Sequence, residues 1–392
     1  MAEAILTINA GSSSIKFALF DLKNGFECGI EGEAEGIGTA PHLLIRAHGQ
    51  VVLEKRWPDD KTLGYEPLLS ESLDWIETHL GADRLVAAGH RVVHGGRRFF
   101  APVLISPDVI KELEALVELA PLHQPHNIAP MRILSRLRPQ LPQIACFDTA
   151  FHHTMPDVAK RIPIPRKYHD QGVLRYGFHG LSYEYIASQL PDVAPTLAGR
   201  RVIVAHLGNG ASMCALKDGK SIDSTMGFTA LDGLMMGTRT GAIDAGVMLY
   251  MAQSLNMDTD ALTSLFYKES GLLGVSGISS DVRTLLASSA PEAKEALELF
   301  SFKAAHQAAG LITSLGGLDG LVFTAGIGEH AAPIRAAICA RLAWLGIALS
   351  IEANNANAPV ISTPDSKIEV RVIPTNEELV IAKHTLALVK NL

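Results

Sequence analysis

Short runs of apolar residues recur along the chain, separated by turns rich in glycine and serine. The first two runs, Ile5 to Ile8 and Ile15 to Phe20, flank a Gly-Ser-Ser-Ser turn and predict two strands joined by a tight turn. Three more strands are predicted at Gly29 to Glu35, Leu43 to His48 and Val51 to Trp57. The chain therefore opens with a series of β-strands.

Helical spacing of apolar residues follows. A helix is expected over Ser70 to Leu80, and a second one begins at Ser106, which precedes a proline in the first turn. Between them, Leu85 to Val93 is a buried strand. The stretch Pro121 to Asn127 predicts a break, and another helix is expected from about Ile128 to Leu137.

The second half of the chain repeats the opening. Val202 to Ala205 predicts a strand, His206 to Ser212 a glycine-rich polar turn, and Met213 to Leu216 the returning strand. A third strand, Gly320 to Phe323, leads into a glycine turn over Gly326 to His330. Helices are expected at Gly241 to Leu255, Thr259 to Glu269, Pro291 to Leu315 and Pro333 to Trp344. Two similar α/β halves, each with a phosphate-binding turn, indicate a duplicated domain with a nucleotide between its halves.

The proline-rich run Met155 to Pro165 predicts a connector between domains. We expect an N-terminal domain over 1–150 and a C-terminal domain over 151–379. The last helix, about 380–392, is expected to pack back on the first domain.

Composition narrows the class of protein. The 392 residues are 47% hydrophobic and 19% charged, as in globular proteins of two or three domains. The net charge of −7 comes without a basic stripe, so nucleic acid is not an expected partner. No uncharged apolar run reaches 18 residues and the start lacks a basic region, so we expect a cytoplasmic protein without a membrane partner. The cysteines lack metal or disulfide spacing and are expected to be buried thiols: Cys28, Cys146, Cys214 and Cys339.

The first turn carries the groups that a phosphate needs. Gly11 lets the backbone approach an anion, Ser12 and Ser14 offer hydroxyls, and Asn9 and Lys16 add an amide and a charge. The sequence lacks the spacing of a P-loop, and a strand rather than a helix follows. An ordinary hairpin is the alternative.

Polar residues at predicted strand ends are the other candidates, because open α/β sheets bind ligands there. Arg91 and Arg239 lie beside glycines and could clamp a carboxylate or a transferring phosphoryl group. Asp148 and Glu377 are candidate magnesium ligands, and His179 is a candidate donor to a phosphoryl oxygen.

Each of these residues also has a structural alternative. Arg91 could form a surface salt bridge, Asp148 could cap a helix, and Glu377 could complement a helix dipole. The adjacent pair His152 and His153 lacks metal-ligand spacing and is interpreted as structural.

Taken together, these motifs resemble the acetate kinases, a family of the acetate and sugar kinase, heat-shock and actin superfamily. Nine segments in the expected order carry the resemblance: Asn9 to Lys16, Gly89 to Gly96, Phe147 to Pro156, Tyr176 to Gly180, His206 to Gly210, Met235 to Arg239, Ser279 to Arg283, Gly326 to Glu329 and Pro374 to Glu378. They cover essentially the whole chain. Any single segment is weak evidence for the family, whereas nine segments in the expected order are strong evidence.

The resemblance implies an α/β fold of two duplicated ribonuclease H-like (actin-like ATPase) domains with an interdomain active-site cleft. It also implies a homodimer and direct, reversible transfer of the ATP γ-phosphoryl group to acetate, giving acetyl phosphate and ADP with Mg²⁺ or Mn²⁺. The implied roles, by residue, are metal binding by Asn9, Glu377 and Asp148; ATP binding by Lys16, His206, Leu207, Gly208, Asn209, Gly210, Asp281, Val282, Arg283, Gly326, Ile327, Gly328, Glu329 and His330; catalysis by Arg91, Asp148, His179 and Arg239; and a methyl pocket of Val93, Leu122 and Phe178.

The ionisation state of a carboxylate acceptor agrees with the activity that the resemblance implies. A carboxylate is already ionised at pH 7, so its kinase needs no strong general base but a cationic clamp that lets two anions meet. We therefore expect Asp148 to serve metal binding and orientation.

At several positions the sequence departs from the family pattern, and these departures do not decide between acetate and propionate as the substrate. Ala230 replaces a common proline beside the acyl pocket, which favours propionate, whereas Val93 favours acetate. Ala242 and Ala245 replace a common aspartate and proline, and His330 replaces a common asparagine near the nucleotide. A propionate or short-chain fatty acid kinase is the first alternative, and an actin-like ATPase module is a remote one.

Overall fold

The structure is a computed structural model that describes residues 3–11, 13–23, 26–57, 62–80 and 84–390. Ser12, a predicted phosphate-binding residue, lies outside the described residues. Up to residue 147 the elements are β1 Glu3–Ala10, β2 Ser14–Asp21, β3 Glu27–Glu35, β4 His42–Ala47, β5 Gln50–Arg56, α1 Tyr65–Leu80, β6 Arg84–Val92, β7 Val103–Leu104, α2 Pro107–Ala115, α3 Gln124–Leu137 and β8 Gln143–Phe147.

The elements after residue 150 are α4 Asp157–Lys160, α5 Arg166–Asp170, α6 Gly180–Val193, β9 Val202–Leu207, β10 Ala211–Lys217, β11 Lys220–Ser224, α7 Ala245–Ser254, α8 Thr259–Lys268, α9 Gly271–Ser276, α10 Val282–Ala287, α11 Pro291–Leu315, β12 Gly320–Thr324, α12 Ala325–His330, α13 Ala332–Arg341, α14 Ile351–Asn355, β13 Glu369–Val372 and α15 Glu377–Val389. Short 3₁₀ turns cover Val117–Leu119, Ala150–Thr154 and Ala343–Leu345.

The chain divides into two compact units. The N-terminal unit comprises residues 1–150 together with 376–392, and the C-terminal unit comprises residues 151–375. The second boundary falls at Asn376, four residues before position 380, because Asn376 caps α15 by accepting a hydrogen bond from the Leu379 amide. The whole of α15 therefore belongs to the N-terminal unit.

Each unit is built on one sheet, and the two sheets share a strand order. The N-terminal sheet runs β5-β4-β3-β2-β1-β6-β8-β7, and the C-terminal sheet runs β11-β10-β9-β12-β13. The shared part is five strands, β3-β2-β1-β6-β8 in one sheet and β11-β10-β9-β12-β13 in the other: three antiparallel strands are followed by two that run parallel to β1 or β9. The N-terminal sheet adds β4 and β5 at one edge and β7 at the other. The predicted duplication of an α/β unit is confirmed.

Apolar side chains cover both faces of the N-terminal sheet. Leu6, Ile8 and Leu73 belong to a buried cluster against α1 and α3, while Ile5 and Ala382 belong to another beneath α15. Gly89 permits that second contact, because a Cβ there would lie 2.2 Å from Thr385 Oγ1. Glycine at position 89 thus lets α15 pack close to β6 and fixes where its first residue, Glu377, lies.

The predicted strands are confirmed, but several helix limits differ. Helix α3 begins at Gln124 rather than near residue 128, because Pro125 lies in the first turn, where its missing N–H is not needed. Helix α1 starts at Tyr65, five residues before the predicted position, and α7 starts at Ala245 after the Asp244 cap rather than at residue 241.

The turn predicted after the third strand of the second half is also wrong. Residues 325–330 form α12. Ala325 takes up left-handed backbone (φ 64°), which redirects the chain from β12 into the helix. Among the described residues, each helix is too short or too polar to cross a membrane.

Candidate active site

The N-terminal unit gathers four of the predicted polar residues at one edge of its sheet. Asn9 lies near the end of β1, Arg91 near the end of β6, and Asp148 directly after β8. These strands are parallel neighbours, so their carboxyl ends meet. Glu377, the first residue of α15, joins them. We call Asn9, Arg91, Asp148 and Glu377 the strand-end cluster.

Arg91 is the centre of this cluster. Its Nη2 donates to Asp148 Oδ2 at 2.7 Å, its Nε donates to Oδ1 at 3.1 Å, and its Nη1 donates to Asn9 Oδ1 at 3.3 Å. Its Nε also lies 3.8 Å from Glu377 Oε2. Burial acts against the charge of Arg91, but Asp148 and Glu377 outweigh it and raise the arginine pKa. Arg91 therefore stays cationic and is held in a fixed orientation.

Both carboxylates of the strand-end cluster are shielded from water. The Asp148 side chain is 1% exposed and that of Glu377 is 12% exposed. Burial raises the pKa of Glu377 to about 7, while the charge of Arg91 opposes this rise. A buried carboxylate beside another acid is a place where a cation is stabilising.

The turn between β1 and β2 is braced from behind. The Gly11 amide donates to the Ser14 carbonyl at 2.8 Å, and Asn127 Nδ2 donates to the Ala10 carbonyl at 2.8 Å. Asn127 Oδ1 also accepts from the Val93 amide at 2.9 Å, so one side chain ties this turn to the end of β6. Lys16 is half-exposed and pairs with Glu33 on β3 at 3.3 Å.

In the C-terminal unit, two predicted catalytic side chains converge on one glycine. A Cβ placed on Gly210 would lie 3.4 Å from His179 Nε2 and 3.8 Å from Arg239 Nη1. Arg239 Nη1 donates a hydrogen bond to the Ala230 carbonyl at 3.1 Å. His179 has left-handed backbone (φ 57°) at the start of α6, and its ring stacks on His206 with centroids 4.3 Å apart.

The loop that carries Arg239 packs tightly against the turn after β9. The Gly237 amide donates to the Asn209 carbonyl at 3.0 Å, and a Cβ on Gly237 would lie 1.9 Å from Asn209 Oδ1. A side chain at position 237 would displace the Asn209 amide group, so glycine permits the contact that holds the Arg239 loop against the turn Gly208 to Gly210.

A cavity of about 580 Å³ opens beside that turn. It is lined by residues from three predicted nucleotide-binding segments and their neighbours: Gly208, Asn209, Ser280, Asp281, Val282, Arg283, Leu286, Gly326, Ile327, His330, Ala331 and Pro333. Asp281 and Arg283 pair with each other on its wall at 2.6 Å. The cavity lies within the size range of small-molecule and cofactor sites.

Other predicted nucleotide residues have structural contacts. His206 and Leu207 belong to β9 rather than to a turn. Glu329 accepts from the Ala325 amide at 2.8 Å and from the Thr375 amide at 3.2 Å, so it braces the β12–α12 junction. Gly328 is buried and does not line the cavity; a Cβ there would lie 3.4 Å from the Phe323 carbonyl carbon and 3.5 Å from the Ala205 carbonyl oxygen.

The predicted methyl-pocket residues are divided between the units. Val93 is buried directly after β6, and Leu122 is half-buried in the turn before α3. Phe178 is buried next to His179 in the C-terminal unit.

His152 is buried and hydrogen-bonded to Ser221 and to the Phe178 carbonyl, which confirms its structural role. The four cysteines form no disulfide; three are buried as expected, and Cys28 is half-buried.

Sequence reasoning missed Arg335, a fully buried residue whose guanidinium contacts the backbone of α12. It donates to the carbonyls of Gly328 and Glu329 at 2.9 Å each, and to Asn354 and Asn357. Arginine on an amphipathic helix is usually exposed, so no local signal marked it. Ser182 and Ser212, which contact the two stacked histidines, were also missed.

Comparison with known proteins points to the same family as the sequence motifs. The sequence model of the acetokinase family matches residues 4–383. An acetate kinase of Rhodopseudomonas palustris is 51% identical over 98% of both chains, and one of Methylocella silvestris is 46% identical over 99% of this chain and 98% of its own.

Solved structures of related kinases share the fold. A propionate kinase from Francisella tularensis superposes with a TM-score of 0.90 at 39% identity, covering 98% of this chain and 99% of its own. An acetate kinase from Porphyromonas gingivalis has a TM-score of 0.87 at 33% identity, covering 99% and 100%. The resemblance inferred from nine motifs is thus confirmed, and the fold is the duplicated actin-like ATPase fold. The chain belongs to the acetokinase family.

Proposed function

We propose that this protein is a kinase of small carboxylic acids that transfers the γ-phosphoryl group of ATP reversibly to acetate, giving acetyl phosphate and ADP. The observation that carries the proposal is the convergence of His179 Nε2 and Arg239 Nη1 on Gly210, beside the 580 Å³ cavity. A cationic side chain and an imidazole at the phosphate end of a nucleotide site suit a transferring phosphoryl group.

Arg91 is the proposed receptor of the acid. Acetate is already ionised at pH 7, so no base has to remove a proton before it attacks phosphorus. The guanidinium instead offsets the repulsion between two anions and orients the attacking oxygen. Asp148 keeps that guanidinium in place through the bidentate contact described above. The apolar side chains of Val93, Leu122 and Phe178 are proposed to accept the methyl group.

ATP is proposed to occupy the cavity of the C-terminal unit. Its base and ribose would lie against Asp281 to Arg283 and Gly326 to His330, and its phosphates against Gly208 to Gly210. Backbone amides of glycine turns suit phosphate oxygens. Lys16, Ser14 and Asn9 of the N-terminal unit are proposed to reach the terminal phosphate during transfer.

The donor set of the strand-end cluster fits Mg²⁺ or Mn²⁺. These ions take oxygen ligands, commonly one or two carboxylates with phosphate oxygens and water. Asp148 and Glu377 supply the carboxylates and Asn9 an amide oxygen, although the described residues hold no group of three or more acidic, histidine or cysteine ligands. The bound ion would neutralise charge on the phosphates.

Propionate is the second candidate substrate. A propionate kinase is among the proteins of the same fold, at 39% identity. One methylene in an apolar pocket changes specificity by only about 1–3 kcal/mol, so both acids can be substrates of one site.

The test is an acyl phosphate assay. Purified protein with Mg-ATP and acetate, propionate or butyrate is incubated with hydroxylamine, which traps acyl phosphates as hydroxamates. We expect hydroxamate with acetate, less with propionate, and least with butyrate. No hydroxamate with any acid would refute the proposed reaction.

We also propose that two copies form a homodimer through α7. No residue of this helix is buried, it carries no charge, and it exposes Val247, Met248, Leu249 and Tyr250. An uncharged apolar face suits a second identical face. Light scattering should give a dimer mass for the wild type and a monomer mass for Leu249→Glu. Val158→Glu is the control: Val158 is an apolar residue outside α7 whose side chain is 84% exposed, and this variant should remain a dimer. A wild-type monomer would refute this assembly.

A cytoplasmic location is proposed as well. None of the four cysteines forms a disulfide, as is usual in a reducing compartment.

A further inference from the structure

The imidazoles of His179 and His206 are each held at Nδ1 by a serine. Ser212 Oγ lies 2.8 Å from His179 Nδ1, and Ser182 Oγ lies 2.8 Å from His206 Nδ1. Ser212 is the direct cross-strand partner of His206 in the sheet, yet its hydroxyl contacts the other histidine. Both serines are fully buried, so bulk water does not compete for these contacts.

The second nitrogen of His179 is turned towards the turn that we assign to phosphate. Nε2 lies 3.4 Å from the point where a Cβ on Gly210 would stand, and Arg239 Nη1 lies 3.8 Å from the same point. A hydrogen bond at Nδ1 therefore decides what Nε2 can offer there, because a neutral imidazole has one donor and one acceptor nitrogen.

The direction of the Ser212 contact follows from its other partner. The Tyr183 hydroxyl is in hydrogen-bond contact with Ser212 Oγ, and Tyr183 is also fully buried. A phenol is a better donor than an aliphatic hydroxyl, so Tyr183 donates to Ser212, which leaves the serine proton for His179 Nδ1.

We propose that Ser212 is a positioning residue whose hydroxyl donates to His179 Nδ1 and so fixes the neutral tautomer that carries its proton on Nε2, facing Gly210 and Arg239. The inference rests on the proposed function, since it assigns to that N–H a hydrogen bond to the transferred phosphoryl group. His179 then acts as a neutral donor beside the charge of Arg239. A second positive charge beside Arg239 is not required.

Contacts of the neighbouring backbone fix the orientation of the His179 ring. His152 Nε2 donates to the Phe178 carbonyl at 2.9 Å, and Gly177 has positive φ (76°) with the His152 ring 2.6 Å from where its Cβ would lie. These contacts hold the left-handed turn at His179 whether or not Ser212 is present. Removing the Ser212 hydroxyl should therefore change the tautomer more than the position of the ring.

The experiment combines nitrogen NMR of labelled histidines with steady-state kinetics. In the wild type, His179 should show its proton on Nε2 and an unprotonated Nδ1. Ser212→Ala should populate the Nδ1–H tautomer and lower kcat by about tenfold to a hundredfold, while KM for ATP changes by less than about twofold. Tyr183→Phe should shift the tautomer in the same direction by a smaller amount.

Ser182→Ala is the matched control. It removes the same contact from His206 at the same distance, and it should leave the His179 nitrogen signals unchanged. Ser212→Cys keeps a weak donor of similar size and should give an intermediate tautomer population, which also serves if the alanine variant fails to fold.

A wild-type His179 with its proton on Nδ1 would overturn the proposal. So would a folded Ser212→Ala protein that keeps the Nε2–H tautomer and its kcat within about twofold. Failure of the proposed function is distinguishable, because it would appear as a wild type that makes no acyl phosphate while the nitrogen signals still report the tautomer.

Discussion

Arg91 and Asp148 form a bidentate pair at the ends of two parallel strands, with Nη2–Oδ2 at 2.7 Å and Nε–Oδ1 at 3.1 Å. The pair fixes the guanidinium plane, and Asp148 is itself anchored because its amide donates to the Val92 carbonyl at 2.9 Å. The carboxylate that orients Arg91 is also a proposed metal ligand. Both proposed roles therefore depend on one buried acid.

Asp148→Asn tests this double role. An amide of the same shape retains one acceptor but loses the charge that holds Arg91 and attracts a cation. We expect kcat/KM for acetate to fall by about a hundredfold or more, with a higher magnesium requirement. Asp157→Asn, at an exposed position, is the control. Near-normal activity with unchanged magnesium dependence would remove Asp148 from the site.

Gly326→Leu tests the nucleotide cavity. A Cβ on Gly326 has no neighbour within 4 Å, so leucine should fit the fold while projecting into space that we assign to ATP. KM for ATP should rise by about tenfold or more, with KM for acetate unchanged. Gly310→Leu is a matched control, since position 310 is exposed, helical, equally open and outside the cavity lining. Equal KM values for the two variants would place ATP elsewhere.

Val93→Ala tests the acyl pocket. Removing two methyl groups should admit one more methylene and raise the propionate-to-acetate ratio of kcat/KM by about tenfold. Val92→Ala makes the same chemical change at the adjacent residue, which belongs to a buried cluster of the N-terminal core. It should lower stability by about 1–3 kcal/mol and leave the ratio unchanged. A ratio that moves equally in both variants would show that Val93 does not line the pocket.

Acid should destabilise the protein through buried His152. Burial lowers the pKa of this imidazole to about 4, below the ordinary value of 6.5 in the unfolded chain. The unfolded state therefore binds the proton more tightly, so the stabilisation is complete above pH 6.5 and is lost as the pH falls towards 4. The linked change is on the order of 3 kcal/mol.

Thermal melts from pH 7.5 to 4.5 measure this effect. His152→Asn should be less stable at neutral pH but should lose less stability on acidification than the wild type. His153→Asn, the exposed neighbour, should melt like the wild type at each pH. Parallel pH curves for the wild type and His152→Asn would contradict the assignment.

The sequence predicted the parts of the site that depend on strand periodicity. Asn9, Arg91 and Asp148 could be placed together because each follows an apolar run, and parallel strands bring their carboxyl ends to one edge. Gly210 and Arg239 were identified by glycines that leave room for an anion. The position of His179 Nε2 beside Gly210 depends on a left-handed turn that no local pattern specified.

Residues whose role depends on long-range packing could not be predicted. Glu329 belongs to a family motif for nucleotide, yet its carboxylate is engaged by the amides of Ala325 and Thr375. Arg335 is chemically unremarkable in the sequence and becomes a brace only because α14 returns beside α13. Helix starts were placed too late where proline lies in a first turn, as at Pro125.

The most direct test of phosphoryl transfer to a carboxylate is the stoichiometry of ADP and acyl phosphate. The protein is incubated with Mg-ATP, with and without acetate, and both ADP and hydroxamate are measured over time. We predict equal amounts of ADP and acetyl hydroxamate, and no ADP above background when acetate is left out. Steady ADP release without acetate and without hydroxamate would contradict the proposed reaction and would indicate an actin-like ATPase instead.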